Sequence, residues 1–168
     1  MCIRDRIINY EKNLSTGLWQ GTLIQVGDDN TDNPGDGVFE ASRNELIRDI
    51  IPVGYDTRQI YLRRLKSPER TRALIRSALS RGALAIEYTG HGGIQTWADE
   101  SIFRIEDVVS LRNRHLPFVI TTTCLNGQFD KPQQVGNSCL SEQFLLGKYG
   151  AIAPNLSLIH ISEPTTPY

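Results

Sequence analysis

Five short apolar runs, separated one from the next by stretches of helical periodicity, constrain this chain more than any other feature. "LWQGTLIQV" (Leu18 to Val26) ends at Gly27, "TRQIYL" follows a polar turn, and "ALAIEYT" (Ala83 to Thr89) empties into Gly90-His91-Gly92-Gly93. "LPFVITTT" (Leu116 to Thr123) runs into Cys124, and "YGAIA" closes the series. Runs this short read as strands buried on both faces. Helical segments between such strands carry the chain back to start the next strand in the same direction. The pattern therefore predicts an α/β fold: a mostly parallel sheet between two helical layers.

The connecting segments carry their own signals. "VFEASRNELIRDII" (Val38 to Ile51) places Phe39, Leu46, Ile47 and Ile50 near one helical face. Ser67-Pro68 supplies an N-cap and a first-turn proline for "ERTRALIRSALSR", whose apolar stripe is Leu74, Ile75, Ala78 and Leu79 and which Gly82 ends. A helix is expected near Ile105 to Arg112, and another from a cap at Asn137 or Ser138 through Leu146. Arg63, Arg64, Arg70, Arg72 and Arg76 are assigned to solvated surfaces, the usual place of arginine.

The two ends read differently from the rest. "MCIRDR" can be encoded ATG TGT ATA AGA GAC AG, and the reverse complement of that string encodes Leu-Ser-Leu-Ile-His-Ile, which is Leu156 to Ile161. The pair resembles translated transposon-end adapters. Residues 1–6 and 156–168 are therefore set aside as adapter sequence, which leaves 7–155 as part of one domain of a longer protein. Cys2 and His160 go with the ends.

Charge and cysteine count exclude several classes. A net charge of −1 offers no broad basic surface to nucleic acid. No apolar run approaches the roughly 20 residues of a membrane span. Cys124 and Cys139 are too few for a disulfide framework, although they could pair with each other.

The chemistry concentrates where strands end. Ligand and active sites of open parallel sheets form beyond the carboxyl ends of the strands. Val26 leads to Asp28 and Asp29, Thr89 to His91, and Thr123 to Cys124. If the strands carrying His91 and Cys124 are neighbours, about 4.8 Å apart, imidazole and thiol leave the same edge within mutual reach. A nearby imidazolium favours the nucleophilic thiolate, so the pair would serve a cysteine hydrolase. Each residue also has an ordinary reading, the cysteine as a buried small hydrophobe and the histidine as a turn residue. A zinc site from Cys124, Cys139, His91 and His115 lacks the close ligand pairs that structural zinc requires.

"YTGHGGIQTWADE", followed by "NRHLPFVITTTCLNGQFD" and "SCLSEQFLLGKYGAIA", resembles the catalytic core of gingipain-type cysteine peptidases. Within that family the likeness is greatest to the peptidases that remove C-terminal signals in type IX secretion. It runs from about Trp19 to Ala153, with 33 positions from the histidine to the cysteine. The resemblance implies a three-layer caspase-like fold, a neighbouring subdomain before this one, and endopeptidase activity on protein or peptide substrates. It further implies a secreted or cell-surface setting with type IX secretion components as partners. Thr123 and Leu125 flank the cysteine, so the caspase motif is absent. Carried over residue by residue, Cys124 is the nucleophile and His91 the general acid and base. The backbone N–H groups of Gly92 and Cys124 form the oxyanion hole. An acid from the loop after the first strand orients the histidine; Asp32 is the first choice, with Asp28 and Asp29 next. The alternative is a catalytically inactive module that kept the fold for binding or scaffolding.

Two further readings complete the set. Trp97, Asp99 and Glu100 follow the histidine loop and are expected to line the substrate groove, with a tryptophan packed against the sheet as the other option. No cofactor is required by the chemistry, but Asp28, Asn30 and Asp32 alternate as calcium ligands do. Asn33 stands where an EF-hand needs glycine and Phe39 where it needs glutamate, so an irregular calcium loop is the form this reading takes.

Overall fold

The computed structural model describes residues 3–12, 16–30, 37–129 and 138–157. Helix α1 (Ile3–Lys12) comes first, and a 3-10 turn at Leu18–Gly21 leads into β1 (Thr22–Gly27). Then follow α2 (Val38–Asp49), β2 (Asp56–Tyr61), the single turn α3 (Leu62–Leu65) and α4 (Pro68–Arg81). Next are β3 (Ala85–Thr89), a small hairpin of β4 (Thr96–Trp97) and β5 (Phe103–Arg104), and α5 (Ile105–Ser110). The last elements are β6 (Phe118–Thr122), α6 (Leu140–Leu146) and β7 (Ala153–Ser157).

Five strands form one sheet in the order β2-β1-β3-β6-β7, and every pairing in it is parallel. The expected α/β architecture is present. The chain runs outward from β1 to β2 and then returns to the other side of β1 for β3, so the winding reverses between β1 and β3. A crevice opens at such a reversal, beyond the carboxyl ends of the two strands. The register is straight across the middle: Gly27 pairs with Thr89, and Thr89 with Thr122.

The core explains why the central strands carry so few polar residues. Ile24, Val26, Ile86, Tyr88 and Val119 are buried from the sheet, and α4 covers it with Ile75, Ala78 and Leu79. α4 begins as expected: Ser67 Oγ accepts from Arg70 N at 3.2 Å, with proline in the first turn. An aromatic series joins sheet, hairpin and α6. Tyr88 stacks on Trp97 at 4.7 Å between centroids, Trp97 meets Phe103 at 5.0 Å, and Phe103 stacks on Phe144 at 5.7 Å.

Several local expectations change. The inward positions of α2 are Glu40 and Arg43, whereas Ile50 is largely exposed. Arg43 meets Glu87 of β3 in a buried ion pair, and Glu40 receives Arg64 Nε at 2.6 Å and Arg63 Nη1 at 3.6 Å. Arg72 and Arg76 approach the buried Asp107 at 3.5 and 3.7 Å. Arg64, Arg70 and Arg76 are exposed, as expected of solvated arginines, and all of the five but Arg70 also reach inward to neutralise buried acids, which a carboxylate below the surface requires. Thr71 rather than Leu74 completes the buried stripe of α4. α6 is capped at Cys139, whose N–H donates to Glu142 Oε2 at 2.8 Å, one residue beyond the expected Ser138; Asn137 lies outside the described residues.

The segments set aside as adapter sequence contribute to this structure where they are described. The guanidinium of Arg6 is buried and donates to the carbonyls of Leu145, Gly147 and Ala151 at 2.7, 2.9 and 2.9 Å. It satisfies the Leu145 and Gly147 carbonyls at the end of α6, where a cation also suits the helix dipole, and the Ala151 carbonyl ahead of β7. At the other end, β7 pairs Leu156 with Thr121 and Ser157 with Thr122. None of the described helices is long and apolar enough to cross a membrane.

Candidate active site

The row Gly27–Thr89–Thr122 marks the rim from which the reactive residues depart. Asp28 is one residue past that row, and His91 and Cys124 are each two past it. The ladders continue slightly beyond the strands. Asp28 N donates to Thr89 O at 3.1 Å, and Gly90 N to Thr122 O at 3.3 Å. Three neighbouring strands therefore deliver a carboxylate, an imidazole and a thiol to one edge. His91 is one-third exposed and Cys124 half-buried, so both are open to a ligand.

Asp28 is the acid that reaches the histidine. Its side chain is completely buried, and Oδ2 accepts from the His91 backbone N–H at 2.9 Å and lies 3.2 Å from Nδ1. With the carboxylate ionised, Nδ1 carries the hydrogen and Nε2 is left with a lone pair for acid–base work. Burial pushes the Asp28 carboxyl up to about 6; the His91 N–H opposes that rise and the charges of Glu100 and Asp29 add to it. Asp32, the first choice from sequence, lies outside the described residues.

The glycines around His91 have steric reasons. A Cβ on Gly90 would overlap Asp28 Cβ and come within 2.6 Å of the Tyr88 hydroxyl. A Cβ on Gly92 would overlap Thr123 Oγ1, the residue just before Cys124. Bare backbone is what allows the histidine loop to lie against the acid on one side and the cysteine strand on the other.

Residues not singled out from sequence hold this arrangement. The buried Tyr88 hydroxyl accepts from Ala98 N at 2.9 Å and lies within reach of Asp28 Oδ2 at 3.3 Å and of the His91 carbonyl. Burial raises its phenol well above the ordinary value, so it serves as a neutral tether. Its signal in the sequence was a tyrosine inside a buried strand, whose hydroxyl must find a partner. Phe39 of α2 meets the imidazole edge-to-face at 5.2 Å. Asn126, two residues after Cys124 and fully buried, donates to Gly93 O at 2.5 Å and Thr96 O at 2.9 Å, binding the cysteine loop to the histidine loop.

Other expected site residues fall elsewhere. Trp97 has no exposed surface and lies in the aromatic series beneath the histidine loop; it supports the rim and cannot line a groove. Asp99 is exposed and Glu100 half-buried on the β4–β5 turn. Cys139 is buried and both described cysteines are free thiols. His115 stacks on Trp19 at 4.6 Å, ahead of β6 and so at the opposite edge of the sheet from His91, which removes the four-residue zinc reading. Of the calcium loop, Asp28 and Asn30 are described and Asp32 is not.

Comparison with known proteins bears on the same residues. The chain is 30% identical over 133 residues to gingipain R2 and to gingipain R1 of Porphyromonas gingivalis. These alignments take in 74% of this chain but 17% and 12% of the two relatives, so it spans a small part of their length. A crystal structure of the Arg-specific cysteine proteinase gingipain R superposes with a TM-score of 0.72 at 25% identity. That superposition covers 90% of this chain and 35% of that one. The complex of Porphyromonas gingivalis RgpB pro- and mature domains shares the fold, at a TM-score of 0.61 and 22% identity over 90% of this chain and 35% of that one. The fold is thus the caspase-like α/β fold of the gingipains, and the family model of Peptidase family C25 matches residues 3–155, a span that takes in Asp28, His91 and Cys124. The chain belongs to Peptidase family C25.

Proposed function

We propose that this chain carries the catalytic centre of a cysteine endopeptidase. The observation behind the reading is the shared rim: β1, β3 and β6 are neighbours in register, with Asp28 one residue past the first and His91 and Cys124 two residues past the others. In the reaction, the Cys124 thiol passes its proton to His91 Nε2 as Sγ attacks a peptide carbonyl, and the C–N bond then breaks as His91 hands that proton to the departing amine. The imidazole then draws a proton from water, which attacks the thioester and releases the acid. Asp28 takes the role of orienting acid in place of Asp32, because it already holds both His91 N–H and Nδ1. The backbone N–H groups of Gly92 and Cys124 are the proposed donors to the oxyanion.

The substrate is a protein or peptide. A secreted or cell-surface setting, with type IX secretion components as partners and removal of a secretion signal as the task, follows from the sequence resemblance. The decisive experiment for the chemistry is peptide hydrolysis by the protein and by its Cys124→Ala variant, with turnover expected to fall by at least roughly 10³-fold. A thiol-reactive peptidyl probe should label Cys124, and His91→Ala should suppress that labelling. Undiminished turnover by Cys124→Ala would discard the reading.

A further inference from the structure

An oxyanion site built from the backbone N–H groups of Gly92 and Cys124 needs those two donors at a fixed spacing, yet both lie beyond the sheet. Among the described residues, the last main-chain bond joining their segments runs from Gly90 N to Thr122 O at 3.3 Å, two residues short of each donor. On the histidine side the chain continues as a hairpin. Gly92 bridges Trp97 in antiparallel fashion, and Ala98 N donates to His91 O at 2.9 Å. Bonded and non-bonded pairs alternate along an antiparallel ladder, so the His91–Ala98 bond makes Gly92–Trp97 a non-bonded pair. The Gly92 N–H is thus turned outward from the hairpin. On the cysteine side, Gln128 N donates to Leu125 O at 3.2 Å, closing a turn with Asn126 at its second position.

Asn126 crosses between the two loops. It is 1% exposed, and its Nδ2 donates to Gly93 O at 2.5 Å and to Thr96 O at 2.9 Å. Those acceptors sit on the two arms of the hairpin, immediately inside the Gly92–Trp97 bridge. One neutral amide can supply both hydrogens; a hydroxyl supplies one and a carboxylate none. The main chain of Asn126 is held separately, its carbonyl accepting from Ser141 N at 3.2 Å, while Leu140 N donates to Ile94 O at the hairpin tip at 2.8 Å. The start of α6 therefore braces both loops. Asn126 Oδ1 is inaccessible and meets no donor among the described residues. A buried carbonyl left unpaired costs stability. An apolar side chain would avoid that cost, so what the amide brings to this position is its pair of donors.

We propose that Asn126 is a positioning residue for acyl transfer: its amide sets the spacing between the Gly92 and Cys124 N–H groups and so shapes the oxyanion site without touching substrate. The inference rests on the endopeptidase reading and goes beyond it in naming what holds the two donors together. Donors act on a developing charge most strongly when they are fixed in place beforehand, and misplacement by an ångström can cost about 10²-fold in rate.

The test separates the nucleophile from the oxyanion site. In the full chain, Asn126→Ala and Asn126→Asp should each lower kcat roughly 10–10²-fold with KM within about threefold of the parent. Alkylation of Cys124 by iodoacetamide needs the thiolate and no oxyanion donor, so its rate and pH profile should stay within about twofold. A peptide aldehyde, whose carbon bonds Sγ and leaves its oxygen among the oxyanion donors, should bind more weakly in proportion to the loss in kcat/KM. Alkylation slowed as much as turnover, or kcat unchanged in both variants, overturns the proposal. Unfolding temperatures identify folded protein, and Asn126→Asp, which keeps the shape, carries the comparison where Asn126→Ala does not fold. Collapse of both variants reduces Asn126 to a structural role and overturns the proposal as well. A parent that hydrolyses no peptide discards the endopeptidase reading, whereas an active parent with unaffected variants discards this inference alone.

Discussion

Asp28 and His91 meet through a single carboxylate oxygen: Oδ2 lies 2.9 Å from the His91 backbone nitrogen and 3.2 Å from Nδ1. One acid thus fixes both the loop and the ring orientation. The contact exists because β1 and β3 are adjacent, with Gly27 opposite Thr89.

Removing the charge while keeping the shape isolates this role. Asp28→Asn should lower kcat by roughly 10²–10⁴-fold with little change in KM, as loss of an orienting carboxylate does in other triads. Steady-state kinetics on a peptide substrate decide it. An equal loss in Asp28→Asn and in a remote surface variant would remove Asp28 from the mechanism.

The acid also sets a pH dependence. Burial raises the Asp28 carboxyl from its ordinary 3.8 to about 6. The folded chain therefore binds this proton more tightly than the unfolded chain does. The associated stability is complete below pH 3.8 and is lost as the pH rises through about 6, a change of roughly 3 kcal/mol. Activity should move the other way, because ionised Asp28 is the form that accepts from His91. A limb near pH 6 in kcat/KM, absent from Asp28→Asn, is the expected result, alongside denaturation curves of both proteins across the same range.

Gly92 tests the closeness of the two loops. A Cβ there overlaps Thr123 Oγ1 and sits 3.2 Å from Thr123 Cγ2. Gly92→Ala should cost about 1–3 kcal/mol by overpacking and depress turnover as well. Thr123→Gly in the same chain should recover part of the stability. Additive penalties in a double-mutant cycle would show that the clash is not the cause.

The Arg43–Glu87 pair makes a prediction about the sheet rather than the site. The two side chains are 8% and 13% exposed, so truncating one strands the other. Arg43→Ala should destabilise by about 3–5 kcal/mol, whereas replacing both by apolar residues of similar volume should cost far less. Urea denaturation of the single and double variants distinguishes the outcomes.

Much of this protein was legible in the amino-acid order. Apolar runs that stop at glycine or a reactive residue mark strands and their ends, and Ser67-Pro68 and Gly82 bound a helix, because both signals depend on neighbours along the chain. His91 and Cys124 stood out for the same reason: Cys124 follows an apolar run directly, and His91 follows one after a single glycine. Which acid reaches His91 was not readable, since Asp28, Asp29 and Asp32 share one loop and only the β1–β3 register brings Asp28 to the imidazole. The ion pairs made by the arginines of α3 and α4 and the charged inner face of α2 escaped as well. Their partners are distant in sequence, and composition cannot reveal an ion pair between separate segments of the chain. Trp97 looked like a groove residue until Tyr88 and Phe103 enclosed it. Local pattern determined the elements, while strand order and burial decided which side chains meet, because a contact between distant residues is a property of the packed chain and of no single segment.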